Sequence, residues 1–296
     1  MHNDVSPVAK GFIHGFFILL SILFIVPLIS VVSVSFSDTK AIFDHGYSIF
    51  PQGFNTLAYQ FLLKSKDVIL RAYGVTFFIT IAGCLLGLAV NALIAYPLSR
   101  RNFKYKTPVT VLLAISMFFN GGLVPTYIMN AQYLHGRDTL WVMIIPALCV
   151  PWFIILLRTF FYSIPYSLVE SAMIDGAGEW RIFGAIILPL AKPALATIGL
   201  FLALNYWNEW FSPLLYISNN KLYPLQYLLY KYMADVQQMA SMQLQGATTA
   251  TLDYSKLPTE SIRMAMCVLA AGPMLFVFPF FQKYFVKGLT VGALKG

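Results

Sequence analysis

The feature that most constrains this chain is a series of long apolar runs, of which the first covers residues 11–37 without a formal charge. About 20 apolar residues in a helix are enough to cross the hydrocarbon core of a bilayer. The first run is longer than the apolar region of a cleavable signal peptide, which has about 7–15 residues, so we interpret it as an uncleaved first span. Six such segments can be counted, at about 12–35, 70–97, 108–130, 139–161, 193–217 and 263–282.

These spans are expected to be helices, because in lipid every backbone polar group must find its hydrogen-bond partner within the segment. We therefore predict an all-α polytopic membrane protein. Residues 1–296 would form a single transmembrane domain with six helices.

The composition agrees with this, since 58% of the residues are hydrophobic and 11% are charged. A soluble domain carries about 25% charged residues. The net charge of +8 is compatible with nucleic-acid binding, but the basic residues lie between the apolar runs. We interpret them as topology signals and expect no nucleic-acid partner.

The orientation follows from Lys and Arg. Residues 100–106, between spans two and three, include four basic residues in seven. Cytoplasmic segments carry an excess of Lys and Arg, so this segment is expected in the cytoplasm. With six spans both termini are then cytoplasmic, and the tail residues Lys283, Lys287 and Lys295 agree with this. The predicted location is the cell membrane, which the chain crosses several times.

Three segments then face outside, at about 36–69, 131–138 and 218–262. Residues 223–242 have helical spacing and predict a helix on the outer surface, followed by a flexible loop at 246–251. In the third span, Gly121 and Gly122 predict a kink or a close approach of two helices, and we favour a packing role.

The segment between spans four and five predicts a short structured knob. Residues 166–175 can form a helix that begins after a proline, which suits a first helical turn. Gly176 can end it in the left-handed conformation. Glu179 suits the N-terminus of a second helix, and two prolines, the first of them Pro189, would break that helix before the next span.

This segment resembles the EAA loop of the permeases of ATP-binding-cassette importers. The family pattern is Glu-Ala-Ala, three residues, Gly, nine residues, Ile, one residue and Leu-Pro. The chain has Glu170-Ser171-Ala172, Gly176, Ile186 and Leu188-Pro189 at the same spacing. Ser171 is the one departure, and because serine is also small, the docking surface is expected to survive.

The flanking residues resemble the carbohydrate branch of that family, the maltose-type permeases, at Asp175-Gly176-Ala177 and at Leu188-Pro189-Leu190. Residues 282–296 also resemble that branch, in particular its lipoprotein-associated or polysaccharide-type subset. The resemblance covers spans two to six and the tail. It implies a subunit that moves an oligosaccharide or polysaccharide fragment into the cytoplasm.

The resemblance also implies partners: a second homologous permease subunit in a heterodimer, two ATP-binding-cassette ATPase subunits, and an extracellular or periplasmic solute-binding protein. ATP and Mg would be bound by the ATPases, and no cofactor by this chain. The knob would dock in a groove of an ATPase and carry its motion into the spans. The candidate coupling residues are Glu170, Ser171, Ala172, Met173, Asp175, Gly176, Leu188 and Pro189. Glu170 would fix the docking, or else be a solvated surface residue.

No motif for catalysis is visible. The pattern Gly-x-x-x-x-Gly-Lys-Ser/Thr, which cradles ATP phosphates, does not occur. The four histidines are scattered, without metal or catalytic-triad spacing. Cys84, Cys149 and Cys267 each lie in an apolar run and are interpreted as packing residues. We expect neither enzymatic activity nor a bound metal in this chain.

A polar patch in the fifth span is the second candidate site. Asn205, Asn208 and Glu209 are spaced i, i+3 and i+4, and would share one face of a continuous helix beside Trp207. A carboxylate at membrane depth is costly and should face a cavity or a partner. Aromatic rings beside hydrogen-bonding groups suit sugars, and the patch resembles the family's Trp-Asn-Asp/Glu segment. We interpret it as a gate or path lining; an interfacial belt or a helix contact is the alternative.

Other interpretations of the function stay open at this point. An ion-coupled secondary carrier usually shows internal repeats and ionisable residues at the midplane. Here Glu209 is the one such residue, and no repeat is seen. A membrane enzyme would need a site that the sequence does not show. An importer of the same class could instead carry a non-sugar cargo, such as a peptide or an amino acid.

Overall fold

A computed structural model of the chain describes residues 7–244 and 259–293. These residues are mostly helical, and no strand occurs among them. They fall into two compact units, one drawn from residues 1–69 and 229–273, the other from residues 70–228 and 274–296. Both candidate sites of the sequence lie in the second unit. The predicted outer loop at 246–251 lies outside the described residues.

The helices, in chain order, are α1 (Pro7–Ser35), α2 (Thr39–His45), α3 (Leu57–Lys64), α4 (Lys66–Ser99), α5 (Lys106–Phe118), α6 (Leu123–Ile128), α7 (Pro151–Ser163), α8 (Tyr166–Ile174), α9 (Glu179–Ile182), α10 (Leu188–Leu190), α11 (Lys192–Trp207), α12 (Phe211–Tyr216), α13 (Leu225–Leu244) and α14 (Thr259–Ala293). Met129–Tyr133 and Phe183–Ile187 are π-helical turns. Leu140–Met143, Ile145–Ala147 and Asn220–Leu222 are 3₁₀ turns.

Within the described residues, three continuous helices are long and apolar enough to cross a membrane: Ala9–Ser35, Lys66–Ser99 and Glu260–Val277. Three further pairs of helices meet the same criteria together but bend at a short break. They are Lys106–Phe118 with Leu123–Tyr133 at 111°, Leu140–Ala147 with Pro151–Ser163 at 49°, and Glu179–Leu190 with Lys192–Trp207 at 80°. The all-α polytopic architecture is confirmed, whereas the count of six spans stays a prediction.

The surface of α1 shows what solvent this fold needs. Large apolar side chains such as Phe12, Leu19 and Leu23 are each at least two-thirds exposed. Burying an exposed apolar side chain of this size is worth about 1.5–3 kcal/mol, so a row of them on one helix would not be stable in water. Lipid is the medium that removes this penalty.

The break in the third predicted span is caused by Gly122. Its φ is +88°, a value that side chains rarely adopt. A Cβ on Gly121 or Gly122 would meet no atom within 4 Å among the described residues. These glycines therefore serve the bend, and they do not pack against another described part of this chain.

The break in the fourth predicted span is bridged by Asn91, a fully buried residue of α4. Its Oδ1 accepts the N–H of Val150 at 3.0 Å. Its Nδ2 donates to the carbonyl of Leu148 at 2.8 Å and to that of Gly87 at 2.6 Å. A buried backbone group without a partner is costly, so this one amide makes the interruption tolerable in an apolar environment.

The core of the second unit lies where α4, α7 and α11 meet the loop that contains α8 and α9. Its innermost side chains include Leu98, Ile154, Leu157, Ile182 and Leu202, each at most 1% exposed. Because residues of the loop belong to the same core as the predicted spans, the loop is packed against them.

In the first unit, α3 packs against the N-terminal part of α14. Ala58 and Leu62 form an apolar cluster with Ile262, Ala265 and Met266. The predicted helix at 223–242 is observed as α13, two residues further along the chain at each end, and its place on the outer surface stays a prediction. The sixth predicted span, 263–282, lies within a longer helix, α14, which extends from Thr259 to Ala293.

Candidate functional site

The first helix of the predicted coupling loop ends in a defined glycine turn. α8 begins after Pro165 and ends at Ile174; Asp175 is its C-terminal cap, and Gly176 follows with φ +77°. The N–H of Gly176 donates to the carbonyl of Met173 at 3.0 Å, and the N–H of Ala177 donates to that of Ala172 at 2.8 Å. These two bonds define a Schellman C-cap. The predicted sequence of helix, glycine turn and second helix is confirmed.

The two faces of α8 have different environments. Val169 and Ala172 are 3% and 8% exposed, and both pack into the core of the second unit. The side chains of Glu170, Ser171, Met173 and Asp175 are exposed. The expectation that Ala172 presents a docking surface is therefore wrong for this chain, because its methyl group faces the chain's own core.

The sequence interpretation missed the most exposed apolar residue of the loop. Ile174, the last residue of α8, is 85% exposed. With 3.6 residues per turn it lies on the side of the helix opposite to Val169 and Ala172. The sequence signal that could have identified Ile174 as a surface residue is its apolar side chain on the face opposite to Val169 and Ala172, just before the glycine turn.

The second half of the loop continues further than predicted. α9 passes through a π-helical turn into α10, which ends at Leu190. Pro189 lies at the start of α10, where a missing N–H is tolerated. The break comes at Ala191, where the helical segments meet at 80°. Leu188 is half-buried against the core and Pro189 is exposed.

Glu179, at the start of α9, connects the loop to the end of α4. The Nη2 of Arg100 lies 3.0 Å from Glu179 Oε1. The hydroxyl of Tyr96 donates to the other oxygen of the same carboxylate. The Tyr96 ring in turn packs against Phe183 of the loop, with 4.8 Å between ring centroids. The Glu179 carboxylate thus binds Tyr96, near the end of α4, and Arg100, just beyond it.

The basic segment after α4 contacts the start of α8. The guanidinium of Arg101 lies 4.6 Å from the centroid of the Tyr166 ring, and that of Arg100 lies 5.8 Å from it. Cation–π contacts of this kind are worth about 0.5–1 kcal/mol at exposed sites. Residues 96–101 and the loop are therefore joined at both α8 and α9.

The polar patch of the fifth span does not form the continuous helical face that was expected. α11 ends at Trp207, and Asn208 is its C-terminal cap. The Nδ2 of Asn208 turns back to the carbonyl of Leu204 at 2.9 Å. Glu209 lies beyond the helix, so the i, i+3, i+4 prediction is wrong for it.

Glu209 instead caps the next helix. Its Oε1 accepts the N–H of Phe211 at 2.9 Å and that of Ser212 at 2.8 Å. Both N–H groups belong to the first turn of α12, which has no earlier helical partner for them. Trp207 is buried and packs edge-to-face against Phe77, with 5.3 Å between ring centroids. Trp207 and Glu209 are thus held by contacts within the chain, whereas the side chains of Asn205 and Asn208 are exposed.

Comparison with known proteins gives a match over nearly the whole chain. Residues 5–291 match the model of the family described as binding-protein-dependent transport system inner membrane component. The polygalacturonan/rhamnogalacturonan transport system permease protein YtcP of Bacillus subtilis (strain 168) is 35% identical over 284 residues, which are 96% of this chain and 97% of the relative. Protein LplC of the same organism is 36% identical over 273 residues, 92% of this chain and 90% of LplC.

A solved structure has the same fold. It is that of a bacterial ABC transporter involved in the import of the acidic polysaccharide alginate, of which one chain superposes with a TM-score of 0.78 at 28% identity. The match covers 95% of this chain and 99% of that one. The protein therefore belongs to the binding-protein-dependent transport system inner membrane component family, as an integral membrane permease subunit of an ATP-binding-cassette importer.

Proposed function

We propose that this permease subunit passes oligosaccharide fragments of an acidic polysaccharide into the cytoplasm. The observation that carries the proposal is the end-to-end similarity to YtcP, whose described cargo is polygalacturonan and rhamnogalacturonan. The alginate importer, matched over a similar share of the chain, also carries an acidic polysaccharide. Polygalacturonan, rhamnogalacturonan and alginate all contain uronate sugars, so their fragments carry carboxylates along the chain.

The proposed assembly contains this chain, a second homologous permease subunit, two ATPase subunits with ATP and Mg, and an extracellular or periplasmic solute-binding protein. The family description, which names dependence on a binding protein, supports the last of these. The proposed orientation has residues 100–106, the loop of α8 to α10, and both termini in the cytoplasm. It is supported by the four basic residues of the 100–106 segment.

The loop of α8 to α10 is the proposed docking element for an ATPase. Ile174, exposed at the end of α8, is an apolar surface that a partner groove would bury, and Glu170 adds a charge on the same helix. The inner face of the helix supports transmission, because Val169 and Ala172 are packed into the core of the second unit. A displacement of the loop by a partner bound at Ile174 would therefore be transmitted to α4 and α7.

Asn205 and Asn208 are the proposed path residues of the fifth span. Their amides are exposed and match the hydrogen-bonding needs of sugar hydroxyls. Trp207 and Glu209 are proposed to shape this end of the path through the packing of Phe77 and the capping of α12.

Uptake of labelled oligogalacturonides by cells tests the cargo. We expect uptake in cells with this subunit and its partners, none in cells that lack this subunit, and none when the P-loop lysine of the partner ATPase is changed to alanine. A neutral oligosaccharide of equal length is the matched comparison. Faster uptake of the neutral sugar would contradict the acidic cargo, and uptake that survives the lysine change would contradict ATP-driven import.

A further inference from the structure

A cavity of about 460 Å³ lies between the end of α4, the basic segment after it and the loop of α8 to α10. Its apolar lining includes Leu93, Pro97, Met173 and Trp180, and its charged lining residues are Arg100, Arg101 and Glu179. Since Arg100 is paired with Glu179, one net positive charge is left, on Arg101. A cavity with apolar walls and a charged mouth matches an amphipathic ligand better than a sugar or a nucleotide.

The inner wall of the cavity is formed by α4. Leu93 precedes the last residue of α4, Ser99, by six positions, which is about 9 Å along the helix axis. α4 is one of the three continuous helices of the described residues that can cross a bilayer. Leu93 is also 43% exposed, so this wall is open rather than filled by the chain itself.

The mouth of the cavity carries a cation without a carboxylate partner. Arg100 is neutralised by Glu179. Arg101, in the part of the chain that the structure describes, contacts only the ring of Tyr166. Trp180, at the same mouth, is 77% exposed. Tryptophan is enriched where a membrane meets water, and guanidinium groups bind phosphate in a bidentate manner.

We propose that this cavity binds an anionic phospholipid of the inner leaflet. The headgroup phosphate contacts Arg101, and one acyl chain lies along Leu93 and Pro97. The leaflet assignment rests on the orientation given under the proposed function. The apolar wall formed by α4, a helix that is able to cross a bilayer, matches an acyl chain. Basic pockets beside membrane helices on the cytoplasmic side are known to take anionic headgroups.

The bound lipid would touch the coupling element. Met173 belongs to α8 and Trp180 to α9, so an acyl chain or headgroup in the cavity contacts both halves of the loop. The lipid would therefore stabilise the loop in the position seen here.

Native mass spectrometry of the intact importer in a mild detergent tests the site. The probes are phosphatidylglycerol and phosphatidylcholine with equal chains. We expect retention of phosphatidylglycerol over phosphatidylcholine, and about fivefold weaker retention in Arg101→Ala, which corresponds to about 1 kcal/mol for one basic residue near a membrane surface. Lys104→Ala is the matched control, since Lys104 belongs to the same basic segment but does not line the cavity.

A second variant separates the cavity from the charged surface. Leu93→Trp fills the inner wall and keeps every charge, and it should lower phosphatidylglycerol retention as Arg101→Ala does. Equal retention of the two lipids, an equal loss in Lys104→Ala, or full retention in Leu93→Trp would each overturn the proposal. Displacement of the lipid by soluble glycerol phosphate would overturn it as well, because the ligand would then be a free phosphate. None of these measurements depends on transport, so failure of the cargo proposal leaves this one testable.

Discussion

Gly83 of α4 lies directly against the ring of Tyr206 of α11, so that a Cβ on Gly83 would be 2.5 Å from two atoms of that ring. The ring cannot move away easily, because Tyr206 is 2% exposed and its hydroxyl donates to the carbonyl of Ile144 at 3.0 Å. The absence of a side chain at Gly83 is what lets the second and fifth predicted spans approach each other, as small residues do in membrane helix pairs.

Gly83→Ala is therefore expected to destabilise the permease by about 1–3 kcal/mol, the usual range for an overpacked core. The measurement is the thermal midpoint of the solubilised importer. Gly74→Ala is the matched control, since it lies in the same helix and its Cβ would meet no atom within 4 Å. An equal midpoint for the two variants would contradict the close contact.

Gly176→Ala should strain the turn between α8 and α9 by about 1–2 kcal/mol, because φ +77° is unfavourable for an L-residue with a side chain. Gly176→Pro should be more severe, because proline cannot adopt this φ and lacks the N–H that bonds to Met173. We expect an assembled complex in which ATP hydrolysis is no longer coupled to uptake. Gly178→Ala is the control, with φ −71° and open space around its Cβ. Uptake at the wild-type rate by a normally assembled Gly176→Pro variant would rule out the turn's role.

Ile174→Glu should weaken binding of the ATPase by more than about tenfold, as expected when a buried apolar anchor of an interface becomes charged. The change should leave the permease fold intact, because Ile174 is 85% exposed. Co-purification of the ATPase with the tagged permease measures this, and Ile174→Leu should bind as the wild type does. Full binding by Ile174→Glu would show that the ATPase docks elsewhere.

Glu179→Gln should lower the amount of sugar imported per ATP hydrolysed by about three- to tenfold, the range for a partly exposed ion pair plus a charged hydrogen bond. The reason is that Glu179 joins the loop to both Arg100 and Tyr96 at the end of α4. A merely structural role would lower assembly and leave that ratio unchanged. Combining Glu179→Gln with Tyr96→Phe should give a smaller loss than the sum of the two.

Glu209→Leu should destabilise the chain by about 1 kcal/mol, since it removes the acceptor for two N–H groups of α12. The cost of a carboxylate at membrane depth would by itself predict the opposite, namely that its removal leaves stability unchanged or raises it. Glu209→Gln keeps an acceptor and should restore most of the loss. If the leucine variant is the more stable one, Glu209 is a path residue rather than a cap.

The sequence determined the all-α membrane architecture and the helix–glycine–helix form of the coupling loop. These features are local, because a long charge-free run, a proline at a helix start and a glycine with positive φ each act through their own neighbours. The EAA spacing is also a local pattern of the sequence, and it indicated the family before any geometry was known.

Only the tertiary structure decided which side chains point where. It turned Ala172 into the core, left Ile174 exposed, ended α11 before Glu209 and matched Asn91 to the broken backbone near Val150. The contacts of Ala172 and Asn91 depend on partners far away in the chain, about which residue spacing within one segment carries no information. The end of α11 is local, but spacing alone did not show that Glu209 would cap the next helix instead of continuing α11. Helix ends and buried polar contacts were therefore the least predictable parts of this protein, and they are where its candidate sites lie.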